Sequence, residues 1–171
     1  MLKKITLVCS LFLAISPVSV LAQRASPDVL SADAIQPGCK LMVSRYGYNP
    51  DDINKYQLSL NWQCTGKKPF VIDAYGADNG TPEVVTVFYT KNRDVIALLK
   101  WQDGAKDSTV VRYKVFAYRY VGDISDTAFF RLDRLSERFG EGFDGVVNGK
   151  PVEYPFKTAS SIRKQLAEFG Q

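Results

Sequence analysis

The chain of 171 residues contains no histidine. Histidine is the commonest general base near neutral pH and a frequent ligand of zinc, copper and non-haem iron. Its absence excludes Ser-His-Asp and Cys-His catalytic groups, and it excludes every metal site that depends on an imidazole. We therefore expect a protein that is not an enzyme and that carries no cofactor and no metal ion.

Long apolar runs are also missing, apart from one at the amino terminus. Residues 5–16 are almost wholly apolar, follow Lys3 and Lys4, and precede Val20-Leu21-Ala22. A run of about a dozen residues is too short to span a bilayer, which needs roughly 20. The pattern predicts a signal peptide over residues 1–22, cleaved before Gln23. We expect export to the periplasm of a Gram-negative bacterium, with secretion to the extracellular medium as the alternative, and no transmembrane segment afterwards.

Cysteine is scarce, with Cys9, Cys39 and Cys64 as the only three. Cleavage of the signal peptide removes Cys9 and leaves a single pair. Two cysteines in an oxidising compartment usually form a disulfide, and this pair is too widely spaced for a Cys-x-x-Cys redox motif. The sequence therefore predicts a structural Cys39–Cys64 disulfide, with a metal or redox pair as the less favoured alternative.

The charge is small and mixed. The chain has 22 basic and 18 acidic residues, and loss of Lys3 and Lys4 with the signal peptide lowers the formal net charge from +4 to +2. So small a charge gives no indication of nucleic-acid binding. The apolar share of 46% is typical of globular proteins. We expect an irregular amino-terminal arm over residues 23–38 and one domain over residues 39–171.

Strict alternation over residues 56–64 predicts a half-buried antiparallel strand. Tyr56, Leu58, Leu60, Trp62 and Cys64 fall on its apolar face. Further segments rich in β-branched and aromatic residues predict strands at 40–45, 70–75, 84–90, 95–102 and 110–120. The links between them are short and rich in turn residues, which favours hairpins. These features predict a meander of five or six antiparallel strands.

The pattern changes after residue 122. Phe129, Leu132 and Phe139 recur at helical spacing, and Gly140 is a suitable end for that helix. Asn148-Gly149 between apolar runs predicts a hairpin, and Thr158 is a suitable cap for a second helix. Together these segments predict an α+β fold, in which an antiparallel sheet is followed by two helices flanking a short hairpin.

Three arginines are the first candidates for binding a partner. Arg131, Arg134 and Arg138 stand at i, i+3 and i+7, so they would share one stripe of the first helix. Such a stripe suits an acidic partner. The alternative is an ordinary solvated face, in which Asp133 and Glu137 neutralise the arginines.

Two tyrosines are the second candidates. In the strand predicted at 110–120, Tyr118 and Tyr120 share a face with Arg112 and Lys114. Tyrosine and arginine dominate binding hot spots, so this face suits a protein partner if it is exposed. The alternative is that a helix covers it.

Catalysis without histidine would rest mainly on carboxylates, as in glycoside hydrolysis. The candidates are Asp73, Asp78, Glu83, Asp94, Glu141 and Asp144. No spacing singles out a pair among them. Ser161-x-x-Lys164 matches the nucleophile motif of penicillin-binding proteins, but the companion motifs of that family are missing. We therefore assign no catalytic residue.

The sequence thus favours an exported, non-catalytic binding protein. We expect an inhibitor or immunity-type factor directed at an envelope-acting enzyme, with a protein partner in the cell envelope and no nucleic acid. The alternatives are a small carboxylate-dependent hydrolase acting on envelope glycans and a structural envelope factor.

Overall fold

The computed structural model describes residues 29–47, 56–77, 80–102, 110–122 and 128–171. The predicted signal peptide lies outside the described residues, as do Asp78 and the first part of the predicted arm. None of the helices in the described ranges has the length and apolar character needed to cross a bilayer.

A four-stranded antiparallel sheet forms the first layer. Its strands lie side by side in chain order: β1 (Val29–Ser31), β2 (Cys39–Tyr46), β3 (Gln57–Cys64) and β4 (Phe70–Tyr75). Cys39 stands directly opposite Cys64 in the register of β2 with β3. A disulfide joins the two residues, which confirms the predicted pairing.

A six-stranded antiparallel sheet forms the second layer. Its strands are β5 (Thr81–Tyr89), β6 (Asp94–Gln102), β7 (Val111–Tyr120), β8 (Phe129–Arg131), β9 (Glu141–Val147) and β10 (Lys150–Val152). The path runs β10-β9-β7-β6-β5. Strands β9 and β8 share the remaining edge of β7, because β9 pairs with its first half and β8 with its end.

Two short helices form the third layer, α1 (Asp133–Phe139) and α2 (Ala159–Glu168). Thr158 caps α2 as predicted: its hydroxyl accepts a hydrogen bond from the backbone N–H of Ser161, and the Ser161 hydroxyl bonds back to the N–H of Thr158. Ile162 and Leu166 of α2 pack with Leu135 of α1 against the six-stranded sheet. Both helices therefore cover the same face of that sheet.

The six-stranded sheet is consequently covered on both faces at its central strands, β6 and β7. Its inner face packs against the four-stranded sheet in an inter-sheet core, which is rich in aromatic rings. Its outer face packs against the helices in a helix-side core. Leu98 and Leu99, neighbours in β6, are both 0% exposed and belong to opposite cores.

The coarse α+β prediction is confirmed, but the prediction of one five- or six-stranded meander is wrong, because the ten strands divide into two sheets. Strand β1 also lies inside the segment expected to be irregular. The first helix begins at Asp133, later than its apolar spacing predicts. Phe129 instead belongs to β8 and packs edge-on against Trp62 at 5.0 Å, so tertiary packing overrides the helical pattern.

Candidate functional site

The three predicted arginines line one surface depression of about 580 Å³, together with a fourth arginine, Arg119 of β7. Arg134 and Arg138 lie on α1, as predicted. The prediction that Arg131 shares their helix is wrong, because Arg131 ends β8. Strands β7 and β8 and helix α1 nevertheless bring all four arginines to the same depression. We call the set Arg119, Arg131, Arg134 and Arg138 the arginine depression.

Helix α1 is anchored so that its charged side faces solvent. The Leu132 N–H, just before the helix, donates to the Ala117 carbonyl of β7 at 2.7 Å. The buried Ser136 hydroxyl accepts from the Ala117 N–H at 3.0 Å. Leu135 and Phe139 enter the helix-side core. These contacts fix the helix against β7 and leave Arg134 and Arg138 exposed.

Arg119 is held by a buried carboxylate. Its guanidinium donates to both oxygens of Asp94, with Nε–Oδ1 at 2.7 Å and Nη2–Oδ2 at 3.0 Å. The hydrogen bond and the charge of Asp94 raise the pKa of Arg119. Asp94 is 0% exposed, whereas the Arg119 side chain is 43% exposed. The pair therefore fixes the position of a cation whose other side faces solvent.

Arg131 is held by two carboxylates on opposite sides. Its Nε lies 2.8 Å from Asp133 Oδ1, and its Nη1 lies 3.4 Å from Asp73 Oδ2. The guanidinium also lies over the ring of Phe116 at 5.2 Å. Asp133 thus neutralises an arginine, as the solvated-face alternative expected. The arginine that it neutralises is Arg131.

Arg134 and Arg138 differ from the other two arginines, since neither has a carboxylate partner within the described part of the chain. Arg138 stacks on the ring of Phe169 at 3.6 Å, which orders its guanidinium without neutralising it. Arg134 is exposed and makes no such contact. Among the described residues, the depression therefore presents two cations without a paired carboxylate, since Asp133, which also lines it, pairs with Arg131.

An exposed aromatic ring lies close to these charges. Phe130 is 56% exposed and pairs with Arg119 in the register of β8 with β7, so both side chains point to the same side of the sheet. Phe129 and Arg131 alternate to the other side of β8, where the Arg131 guanidinium contacts Asp73 and Phe116, although Arg131 also lines the depression. Arginine beside an exposed aromatic ring is a composition typical of protein interfaces.

The two predicted tyrosines are not at the surface. Tyr118 is 1% exposed and Tyr120 is 8% exposed, and both belong to the inter-sheet core. The expectation of an exposed aromatic face on β7 is therefore wrong. A layer does cover the tyrosines, as the alternative proposed, but that layer is the four-stranded sheet and not a helix.

Tyr118 belongs to a buried chain of hydrogen bonds that ends at Arg131. The hydroxyl groups of Tyr75 and Tyr118 lie 2.7 Å apart, and the Tyr118 hydroxyl donates to Asp73 Oδ2 at 2.7 Å. Burial raises the pKa of both phenols far above the ordinary value, so both remain neutral donors. The chain positions Asp73, and Asp73 in turn contacts Arg131.

Each candidate catalytic carboxylate that the structure describes has a cationic partner. The pairs are Asp73 with Arg131, Glu83 with Lys100, Asp94 with Arg119, Glu141 with Arg112 and Lys114, and Asp144 with Lys157. At Glu141, burial opposes ionisation, but the contacts with Arg112 and Lys114 outweigh it and lower the pKa. A general acid needs a raised pKa, which is the opposite arrangement.

The remaining motifs have structural explanations. Ser161 of the Ser-x-x-Lys motif belongs to the capping box of α2. In the described ranges, no group of three or more Cys, Asp or Glu side chains could hold a metal ion.

Comparison with known proteins finds no matching family model, no matching curated protein and no matching solved structure.

Sequence reasoning missed Arg119 and Phe130, and it considered Asp94 only as a candidate catalytic carboxylate. Arg119 alternates with apolar residues of β7 on a face that the pattern assigns to the core. Asp94 directly precedes a strongly apolar run, and Phe130 lies within a segment predicted to be helical. A signal was available for Asp94 and Arg119, because an acid and a base in adjacent predicted strands can form a cross-strand pair.

Proposed function

We propose that the protein is exported to the periplasm and acts there as a non-catalytic binding protein. Its partner is an envelope-acting enzyme with an acidic surface, which it neutralises as an inhibitor or immunity-type factor. The contact is made by the arginine depression together with Phe130.

The observation that carries this proposal is a pair of exposed arginines, Arg134 and Arg138, for which the described part of the chain supplies no carboxylate partner. A guanidinium offers a rigid, planar set of donors that matches a carboxylate in two-point contacts. Arg119 and Arg131 are already held in place, so little side-chain entropy remains to be lost there on binding. These features suit an acidic protein surface.

Other features agree with an exported binding protein. The disulfide between β2 and β3 is the kind of cross-link that persists in an oxidising compartment. The ion pairing of the described candidate carboxylates gives less support to the hydrolase alternative. A structural envelope factor remains the third hypothesis, and a membrane-integrity defect on deletion, without any enzyme partner, is the observation that would favour it.

Charge reversal tests the proposal. Tagged wild-type protein and the double variant Arg134→Glu/Arg138→Glu are used to capture partners from periplasmic extract, and the captured enzyme is then assayed with and without the purified protein. The matched control is Lys150→Glu/Lys164→Glu, which makes the same change in net charge at exposed positions away from the depression. Wild type and control are expected to capture and inhibit one enzyme, and the arginine variant is expected to do neither.

Two results would contradict the proposal. One is capture of the same enzyme by the arginine variant at wild-type level. The other is turnover of peptidoglycan by the purified protein, provided that single Asp→Asn or Glu→Gln variants that remain folded abolish it, because that outcome would establish the hydrolase alternative.

A further inference from the structure

A second concave surface lies at one end of the inter-sheet core, separate from the arginine depression. It encloses about 560 Å³, which is within the range of small-molecule sites. Trp62, Phe70 and Tyr120 supply aromatic surface, and the Cys39–Cys64 disulfide forms part of the wall. We call this space the inter-sheet cleft.

The described lining of the inter-sheet cleft carries charge of one sign. Lys67, Lys68 and Arg93 line it, and no acidic residue does so among the described positions. Asp123 and Asp126 follow Gly122 in the chain and lie outside the described residues. The described part of the cleft thus combines an aromatic floor with a cationic rim.

Arg93 is fixed at the rim in a conformation that its residue type disfavours. Its φ of +64° lies in the left-handed region, where glycine is favoured and other residues are uncommon. Its Nη2 donates to the Ile35 carbonyl at 2.7 Å, and its guanidinium lies 4.9 Å from the centre of the Tyr120 ring. No carboxylate in the described part of the chain pairs with it. Within the described residues, Arg93 is therefore a cation held over an aromatic wall without a paired carboxylate.

The two tryptophans differ in a way that points to the same cleft. Trp101 is buried, and its indole N–H donates to the Gly76 carbonyl at 2.9 Å. Trp62 is 3% exposed and packs on Tyr120 and Phe129, but within the described residues its N–H has no hydrogen-bond partner. Trp62 lines the cleft, so its N–H, which no described residue accepts, is a candidate donor to a ligand there.

We propose that the inter-sheet cleft binds a small organic anion, with an oxyanion head group at Arg93 and Lys68 and an apolar body, flat or nearly so, against Trp62 and Phe70. The head group is a carboxylate or a phosphate, since the guanidinium accepts either. This site is independent of the proposed partner surface.

A pair of fluorescent probes with one ring framework tests the proposal. 8-Anilinonaphthalene-1-sulfonate carries an anionic group, and N-phenyl-1-naphthylamine is its uncharged counterpart. The anionic probe is expected to bind the folded protein with a stoichiometry of one, at least ten times more tightly than the neutral probe. Equal affinity for the two probes would overturn the proposal.

Two single variants, each an independent test, locate the site at which the probe binds. Arg93→Gly relieves the left-handed backbone, and Lys68→Gln changes an exposed side chain, so both are expected to fold. Each is expected to weaken binding of the anionic probe about tenfold and to leave the neutral probe unchanged, whereas Lys164→Gln is expected to change neither. Unchanged binding of the anionic probe in both cleft variants would contradict the assignment.

A competition experiment distinguishes recognition of an organic anion from binding of any small anion, and it compares the two head groups. Benzoate and phenyl phosphate are added to the complex with the anionic probe, and inorganic phosphate is added at the same concentration. Displacement by either organic anion but not by inorganic phosphate supports the proposal and identifies the preferred head group. Equal displacement by inorganic phosphate would contradict a role for the aromatic floor.

Discussion

The two faces of the six-stranded sheet are both covered at its central strands, yet they are built from different side chains. On β7, Phe116, Tyr118 and Tyr120 face the inter-sheet core, whereas Val115 and Ala117 face the helix-side core. The inter-sheet face bears hydroxyl groups that continue into the chain from Tyr75 to Asp73. The helix-side face has small residues beside the stacked ring of Tyr113, and helices with a charged outer side cover it.

The difference shows how one strand can serve two kinds of site. Large rings between two sheets leave an open cleft at one end of the core, with a cationic rim. Small side chains under α1 allow that helix to lie close to β7, which brings Arg134 and Arg138 to Arg119. The two proposed binding surfaces therefore lie where each layer ends.

The largest expected loss of stability comes from two substitutions in β6, which test whether both faces of that strand are buried. Leu98→Ala and Leu99→Ala remove the same atoms from adjacent positions of β6 that point into opposite cores. Each variant is expected to lower the free energy of unfolding by about 2–5 kcal/mol, because each leaves a cavity. Urea denaturation measures both. A loss below about 1 kcal/mol in either variant would mean that the corresponding face is not covered.

Removal of the disulfide tests how far the four-stranded sheet depends on a covalent link. Cys39→Ser/Cys64→Ser opens a loop with a sequence separation of 25 residues. On the chain-entropy model this costs roughly 3 kcal/mol. Urea denaturation of the variant is compared with that of the oxidised wild-type protein. Stability equal to that of the oxidised wild type would show that the link contributes little.

The hydroxyl chain distinguishes the inter-sheet core from the helix-side core. Tyr118→Phe removes one hydrogen bond to Asp73 and one to Tyr75, which leaves the buried Tyr75 hydroxyl without that partner. We expect a loss of about 2 kcal/mol in the free energy of unfolding. Tyr113→Phe, at a stacked ring on the other face of β7, is the control and is expected to cost less. Equal losses would contradict a special role for the chain.

Buried phenols in both cores predict an alkaline limit to stability. Burial raises the pKa of Tyr75 and Tyr118, while burial followed by the charge of Glu141 raises the pKa of Tyr154 to about 12. The folded state therefore favours neutral phenols, so stability is complete below an unfolded-state pKa of about 10 and falls as the pH rises above it.

Denaturation at a series of pH values above 10 measures this limit. Tyr118→Phe is expected to reduce the slope by roughly 1.4 kcal/mol per pH unit, because one fewer phenol ionises on unfolding. An unchanged slope in that variant would contradict the link between burial and alkaline sensitivity.

The smallest expected effect concerns the helix layer. Thr158→Ala removes the side-chain cap of α2 and is expected to cost about 1 kcal/mol. Because α2 packs on the face opposite the inter-sheet cleft, probe binding at the cleft is expected to remain unchanged. Thermal unfolding and a probe titration check the two expectations. A simultaneous loss of probe binding would show that the two faces are coupled.

Local features of the fold were predictable from the sequence. Alternation identifies β3, and its predicted apolar face contains Leu58, Leu60 and Trp62, all buried. Strand β4 has the predicted bounds. Asn148 and Gly149 form the predicted hairpin turn, in which both residues have positive φ. Each of these features depends on a few neighbouring residues.

The division into layers was not predictable in the same way. The short link from β4 to β5 resembles a hairpin, yet the chain passes there from one sheet to the other. A short link limits the distance between the two strands that it joins. It does not determine whether the second strand pairs with the first in one sheet or packs against it in another. For the same reason the pattern of β7 could not show that both of its faces are covered.

The candidate site was predictable only in part. The spacing of Arg134 and Arg138 on one helix identifies a basic surface. The contributions of Arg119 and Phe130 depend on the pairing of β7 with β8, which is a contact between separate segments. Single-sequence periodicity carries no information about that pairing.

The central claim is that Arg134 and Arg138 bind an acidic surface of the partner enzyme. The affinity between this protein and the captured enzyme, measured at two ionic strengths, tests that claim most directly. Raising the ionic strength from about 0.1 M to about 1 M shortens the Debye length from about 10 Å to about 3 Å, which weakens exposed charge pairs. At the lower value we predict that Arg134→Glu/Arg138→Glu raises Kd about 100-fold or more relative to wild type, and that this difference shrinks markedly at the higher value. A wild-type Kd that is the same at both ionic strengths and unaffected by the double substitution would contradict the account.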